Sequence, residues 1–260
     1  MHKLRWIYKL SSLFAAVMLL QCASGFAERT ARPMFRGPSN EKVVALTFDD
    51  GPDPRFTPRV LAILKKYNVH ATFFVVGENA ERYPELLKKE LAEGHTLGNH
   101  TYTHPTMTSV SPAQAHLELS KCNAVIEHIT GISPRLFRPP KGFYNVKIMQ
   151  MLAEMGYQPV MWSLAIEHHE VPTPPMMVDR VLQKVQPGMI ILGHDGRLNR
   201  ENTVRALPGI ISGLKARGYR FMTVDEMLDL AKKTGDLNKN THPDNHTGYD
   251  GFIKFFHLHL

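Results

Sequence analysis

From Lys42 onward, short apolar runs alternate with longer segments of helical period, and this alternation is what most constrains the fold. The runs Val43–Phe48, Ala71–Val76, His95–Gly98, Leu136–Arg138, Gln158–Trp162, Met189–Gly193 and Arg220–Thr223 read as strands. Between them Pro58–Tyr67, Pro84–Glu93, Pro112–Ile129, Asn145–Met155, Pro175–Val185 and Thr203–Arg217 read as helices, with Val224–Lys233 as a last one. Thr57-Pro58 and Ser111-Pro112 carry proline where a helix begins, and Asn68, Gly94, Gly156 and Gly218 stand where helices stop. Strand–helix alternation implies an α/β fold with parallel strands joined by right-handed crossovers. Pattern alone leaves an open sheet and an incomplete barrel equally available. Both place chemistry at the C-terminal ends of the strands.

The flanks differ in character. Lys3, Arg5 and Lys9 precede an apolar run from Leu10 to Leu20 and small residues ending at Ala27, the pattern of a cleaved secretory signal peptide over residues 1–27. An uncleaved anchor or a lipoprotein modified at Cys22 fits less well, because Gln21 occupies the site of a small residue before a lipidated cysteine. Residues 28–41 read as a linker, 42–233 as one domain, and 234–260 as a polar tail with an apolar end. Without residues 1–27, Cys122 is a lone thiol on a helical segment, expected to be a small buried apolar residue. No stretch after the signal has the length of a membrane span. The net charge is +7, three of it from residues 1–27, and the rest is dispersed, which argues against a nucleic-acid partner. Nothing in the sequence indicates an oligomeric state.

Four strand ends carry polar groups suited to catalysis. The first strand runs into Asp49-Asp50-Gly51-Pro52, where adjacent carboxylates diverge and can do different work, although helix-capping acids on a turn read the same way. The third leads to His100 and His104, an i, i+4 pair with metal-ligand spacing that an Asp completes to a facial set. With 14 histidines in the chain such a pair also arises by chance. Arg138 ends the fourth strand, where a buried guanidinium needs a carboxylate partner. His194 ends the sixth with an imidazole suited to general acid work, though a satisfied core histidine reads the same.

The ordered set T-F-D-D-G-P, H-T-x-x-H, R-P-P and L-x-H-D resembles the polysaccharide deacetylase family, the NodB-homology domain of carbohydrate esterase family four, over residues 42 to 230. The resemblance implies a single-domain distorted (β/α)7 barrel. It implies Asp49 as catalytic base, Asp50, His100 and His104 as ligands of a divalent metal, usually Zn2+, and Arg138 as the residue that tunes the base. It also implies the Lys141 backbone N–H as oxyanion donor, Trp162 and Leu192 as walls of an acetyl-methyl pocket, and His194 as general acid. The implied activity is N-deacetylation of an exported acetylated polysaccharide: peptidoglycan, a chitin-like polymer or an exopolysaccharide. The alternatives are an O-acetyl glycan esterase and a non-catalytic glycan-binding protein of the same fold.

One motif departs from the family pattern. Ala165 and His168 stand at the two Asp positions of an Asp-x-x-Asp-Trp stretch, and His169 stands at its Trp, so the partner of His194 must come from elsewhere. Glu167 and Glu170 are the nearby carboxylates. Lys141 replaces an aromatic residue common after the proline pair.

Overall fold

The computed structural model describes residues 30–236. Residues 1–27, expected to be a signal peptide, and the expected tail beyond residue 236 lie outside the described residues. Eight parallel strands form one curled sheet: β1 (Val43–Asp49), β2 (Thr72–Val75), β3 (Thr96–Asn99), β4 (Leu136–Phe137), β5 (Gln158–Pro159), β6 (Leu164–Ala165), β7 (Ile190–His194) and β8 (Arg220–Met222). The path across it is β5-β4-β3-β2-β1-β7-β6, a seven-strand circuit that ends without a β5–β6 pair. The barrel is therefore distorted, as the resemblance implies, and open between two strands consecutive in sequence. β8 lies off the circuit. It pairs with Val43–Ala45, while β2 takes Thr47–Asp49 on the rest of the strand.

The helices are α1 (Thr57–Lys66), α2 (Gly77–Arg82), α3 (Pro84–Ala92), α4 (Pro112–Thr130), α5 (Val146–Glu154), α6 (Pro174–Lys184), α7 (Glu201–Ala216) and α8 (Val224–Thr234). All the expected helices are present to within two residues at each end. Ser111 caps α4 through the Gln114 N–H, Asn145 caps α5 through Ile148, and Thr223 with Glu226 closes a capping box on α8. Asn68 and Gly94, Gly156 and Gly218 all take left-handed backbone, as helix stops do. α2 is absent from the sequence reading because its six residues, GENAER, carry no apolar period.

β1 is buried throughout. Val44, Leu46 and Phe48 face the helices in the larger apolar cluster, and Val43 and Ala45 face the barrel interior with Phe74, Trp162, Ala165 and Leu192. A strand buried on both faces reads as a continuous apolar run, and its alternation delivers Thr47 and Asp49 to the interior.

Two expectations need correction. Gln158–Trp162 is not one strand: the carbonyls of Val160 and Met161 accept from the Arg138 guanidinium at 3.1 and 2.9 Å. Those two carbonyls serve a side chain, and sheet pairing is reduced there to an isolated bridge until β6 begins at Leu164. Residues 34–36, read as linker, are part of the body. Met34 bridges to Val160 and Arg36 to Met189, and Met34 and Phe35 are buried. Cys122 is buried as expected, with its thiol toward the Val75 carbonyl. Among the described residues no helix is long and apolar enough to cross a membrane.

Candidate active site

The C-terminal ends of β1, β3, β4 and β7 converge, and two glycines let their loops touch. A Cβ on Gly51 would lie 2.5 Å from an Asp195 carboxylate oxygen, and one on Gly196 would lie 2.1 Å from the Asp50 carbonyl. The glycine after each acidic motif is thus required by the close approach of the β1 and β7 loops.

Asp50, His100 and His104 offer ligand atoms all within 4.8 Å of one another. Asp50 Oδ1 lies 3.1 Å from His104 Nε2 and 3.7 Å from His100 Nε2. His100 Nδ1 is 2.8 Å from the Arg138 carbonyl, and because a carbonyl only accepts, Nδ1 carries the proton. Nε2 then presents a lone pair toward two carboxylates. That geometry, and the hydrogen bond that fixes the ring, suit a shared cation. Burial pushes the His100 imidazole down to about 4, against the opposing pull of Asp49, so the ring is neutral at ordinary pH, as a ligand must be. Burial works against ionised Asp50, but the neighbouring His104, His194 and His100 hold its carboxyl well below the usual range. One carboxylate oxygen and two imidazole nitrogens match a borderline divalent ion such as zinc.

Asp49 is buried beside this set, its Oδ1 accepting from Arg138 Nη1 at 2.7 Å. Arg138 is fully buried and fully engaged: Nη1 also donates to the Thr47 hydroxyl at 2.9 Å, and its plane lies 4.1 Å from the Phe74 ring centre. One guanidinium thereby fixes the orientation of Asp49 and keeps a counter-charge beside it. Asp49 Oδ2 stays 3.8 Å from His100 Nε2, on the side of the cation set.

On the far wall, Glu167 Oε2 lies 3.3 Å from His194 Nδ1, an ion-pair contact. Its Oε1 accepts from the His194 N–H at 3.1 Å and the Thr203 hydroxyl at 2.7 Å. Burial alone would lower the His194 imidazole, but the Glu167 carboxylate outweighs it and the net direction is upward. Burial likewise opposes ionised Glu167, and His194 brings it below the usual range. Glu170 does not take part. Its exposed carboxylate pairs with His168 and His169, at 3.5 and 3.9 Å. Ala165 is buried in the interior cluster beside Leu192.

The remaining expected residues fall in an apolar cluster and in a turn. Trp162 and Leu192 are buried in one apolar cluster, and the Trp162 ring would lie 2.8 Å from a Cβ on Gly142. Lys141 adopts left-handed backbone (φ 60°) in the turn Pro140–Gly142, with its ammonium 3.0 Å from the Thr106 hydroxyl.

Three groups escaped the sequence reading. Glu118, on the buried face of α4, accepts from the N–H groups of Tyr102 and Thr103 at 2.9 and 2.7 Å and from the Thr103 hydroxyl at 2.8 Å. It clamps the loop whose Thr101 and His104 both have positive φ. A charge among Ala115, Leu119, Cys122 and Ile126 at helical spacing was the available signal. Arg200 reaches Asp50 Oδ2 at 3.2 Å and the Gly196 carbonyl at 2.9 Å, which leaves Oδ1 to the histidines. Asp195, fully buried, accepts from the Thr57 hydroxyl, and Thr57 also accepts from the Asp53 N–H, so it links two loops.

The comparisons agree with this geometry. A family model described as polysaccharide deacetylase matches residues 36–160. A peptidoglycan-N-acetylglucosamine deacetylase of Bacillus cereus is 40% identical over 203 residues, 77% of this chain and 95% of the relative. A crystal structure of a peptidoglycan N-acetylglucosamine deacetylase bound to an N-hydroxybenzamide superposes with TM-score 0.73 at 37% identity, over 76% of this chain and 92% of the other. A pseudoenzyme of the same family from Bacillus anthracis superposes with TM-score 0.72 at 32% identity, over 77% and 70%. Fold alone therefore does not distinguish turnover from its loss; the site residues must.

Proposed function

The chain belongs to the polysaccharide deacetylase family, and from that premise we propose that it is a metal-dependent hydrolase removing N-acetyl groups from a cell-envelope polysaccharide, with peptidoglycan as the favoured substrate. The observation that carries the reading is the meeting, at the C-terminal ends of the strands, of the Asp50–His100–His104 set, an arginine-held Asp49 and a carboxylate-paired His194. A glycan-binding protein has no use for all three.

Amide hydrolysis needs a nucleophile, a stabiliser for the oxyanion and an acid for the leaving amine. A divalent cation held by Asp50, His100 and His104, zinc in our reading, supplies Lewis acidity that makes water nucleophilic near neutral pH. Asp49, aimed by Arg138, takes the proton of the attacking water. The Lys141 N–H donates to the developing oxyanion. Glu167 favours the imidazolium of His194, and with Nδ1 turned to Glu167 that imidazolium delivers its proton to the amine nitrogen through Nε2. Trp162 and Leu192 wall the methyl group. Glu167 thus takes the place of the missing family Asp.

We place the protein outside the cytoplasm, with residues 1–27 as its cleaved signal; the basic and apolar segments of that stretch support this. The test is acetate release from peptidoglycan, chitin oligomers and O-acetylated xylan, with and without chelator. Chelator-sensitive release from an N-acetylated glycan is expected. Release from O-acetyl substrates alone would make the protein an esterase. Metal bound without any release would make it a binder.

A further inference from the structure

Beside the cation set, the loops after β1, β2, β3 and β7 enclose a polar bay of about 420 Å3, within the range of small-ligand sites. It shares a wall with the proposed active site. Thr103, next to His104, lines it, and Asn79 on its floor donates to the Asp50 carbonyl at 2.9 Å. Three arginines line it: Arg55, Arg82 and Arg197. Arg55 is held by Asp53 through two bonds, at 2.7 and 3.0 Å. Arg82 and Arg197 have no ion-pair or hydrogen-bond partner among the described residues, and Glu78 is the remaining acid of the lining. One positive charge is left in excess. Arg197 is also held in place. It follows the Asp195-Gly196 pair packed on the β1 loop and sits in a tight turn with φ 66°, the Leu198 N–H donating to the Gly196 carbonyl. Tyr83 adds an aromatic face of the kind sugar rings lie against.

We propose that this bay binds a carboxylate carried by the glycan next to the sugar that is deacetylated, so that the protein prefers a carboxylated acetyl-glycan to a neutral one. The inference rests on the deacetylase reading and narrows its substrate. A guanidinium pair matches a carboxylate in geometry, and a single negative charge matches the excess of one that Glu78 leaves; a dianion would meet Glu78 as well. In peptidoglycan such a carboxylate is either the lactyl group of a muramic residue or the end of the peptide attached to it.

The experiment uses the metal-loaded protein and two readouts. The first is kcat/KM for acetate release from muramic-containing oligosaccharides and from chitin oligomers of equal length. The second is calorimetric binding of the corresponding de-N-acetylated saccharides, which cannot turn over, with the lactyl carboxylate free, converted to a methylamide, or extended by a peptide. The wild type should bind a carboxylate-bearing saccharide about tenfold more tightly than its amide. In the Arg82→Gln/Arg197→Gln double variant that preference should vanish, and the kcat/KM ratio of carboxylated over neutral substrate should fall about tenfold. Tightest binding of the free lactyl compound assigns the carboxylate to the sugar; tightest binding of the peptide-bearing compound assigns it to the peptide. Equal binding of acid and amide by the wild type, or an unchanged preference in the double variant, overturns the proposal. A carboxylate preference with no acetate release from any glycan would uphold the bay and sink the deacetylase reading instead.

Discussion

Replacing Glu167 by Gln isolates one charge at the proposed acid. Oε1 accepts from the His194 N–H and the Thr203 hydroxyl, and the glutamine carbonyl can keep both bonds, so the loop should hold its position. What disappears is the negative charge facing His194 Nδ1 at 3.3 Å. Opposite charges about 4 Å apart are worth about 4 kcal/mol at an effective dielectric of 20 and about 1 kcal/mol in bulk water. Both side chains are roughly a fifth exposed, at 22% and 23%, which places the pair between those limits. An intermediate value of about 2 kcal/mol corresponds to roughly a thirtyfold change in the protonation equilibrium. Glu167 favours the imidazolium, so its loss lowers the pH at which His194 gives up its proton. Turnover that needs protonated His194 should therefore lose its alkaline limb at lower pH in Glu167→Gln, by roughly thirtyfold above that limb and far less at acid pH. Glu170→Gln, which removes an exposed partner of His168 and His169, should leave the profile in place. The assay is acetate release across pH with metal saturating. An unshifted alkaline limb in Glu167→Gln would refute the assignment of Glu167 as the partner that tunes His194.

Other substitutions probe the rest of the site. His100→Ala or His104→Ala should lose bound metal as well as turnover, and full occupancy by elemental analysis in either variant would remove that residue from the ligand set. Asp49→Asn should retain metal while losing most activity; near-normal turnover would exclude it as base. Arg138→Met strands Asp49 in the interior at a cost of about 3–5 kcal/mol, so thermal unfolding should move down by roughly 10 °C, and an unchanged Tm would show the pair to be dispensable. Glu118→Ala frees three donors of the histidine loop and should weaken metal binding about 10- to 100-fold, partly recovered in Glu118→Gln, as measured by competition with a chromogenic chelator.

The fold was largely legible because its strands and helices announce themselves by period, and its turns by residue type. β1 reads as a strand from the apolar run Val43–Phe48, and Asn68, Gly156 and Gly218 mark helix ends through a backbone region that few residues enter. What could not be read were features fixed by partners distant in sequence that no motif or resemblance marks. The break after β5 follows from Arg138 taking the carbonyls of Val160 and Met161. The body begins before Lys42 because Met34 and Arg36 find Val160 and Met189 more than a hundred residues away. The same holds for Arg200, an unremarkable residue before α7 until the fold brings it to Asp50 across 150 positions.

The substituted motif after β5 shows how a chemical role can survive the loss of its residue. Ala165 lies in β6 and packs inward beside Leu192, the next residue, Ile166, packs outward in the helix-facing cluster, and Glu167 turns inward again. Strand alternation thus puts Glu167 on the same face as Ala165, the first of the two expected Asp positions, one pleat nearer the strand end where His194 stands. The Ile166 N–H bonds to the Leu192 carbonyl, so β6 and β7 stay in register up to that point. Register and alternation together require an inward side chain at 167 to face the end of β7. Glutamate's extra methylene then lets one oxygen hold the His194 backbone while the other faces the ring, two contacts from one carboxylate. Matching by motif position marks this stretch as defective, whereas matching by strand face finds the carboxylate two residues on.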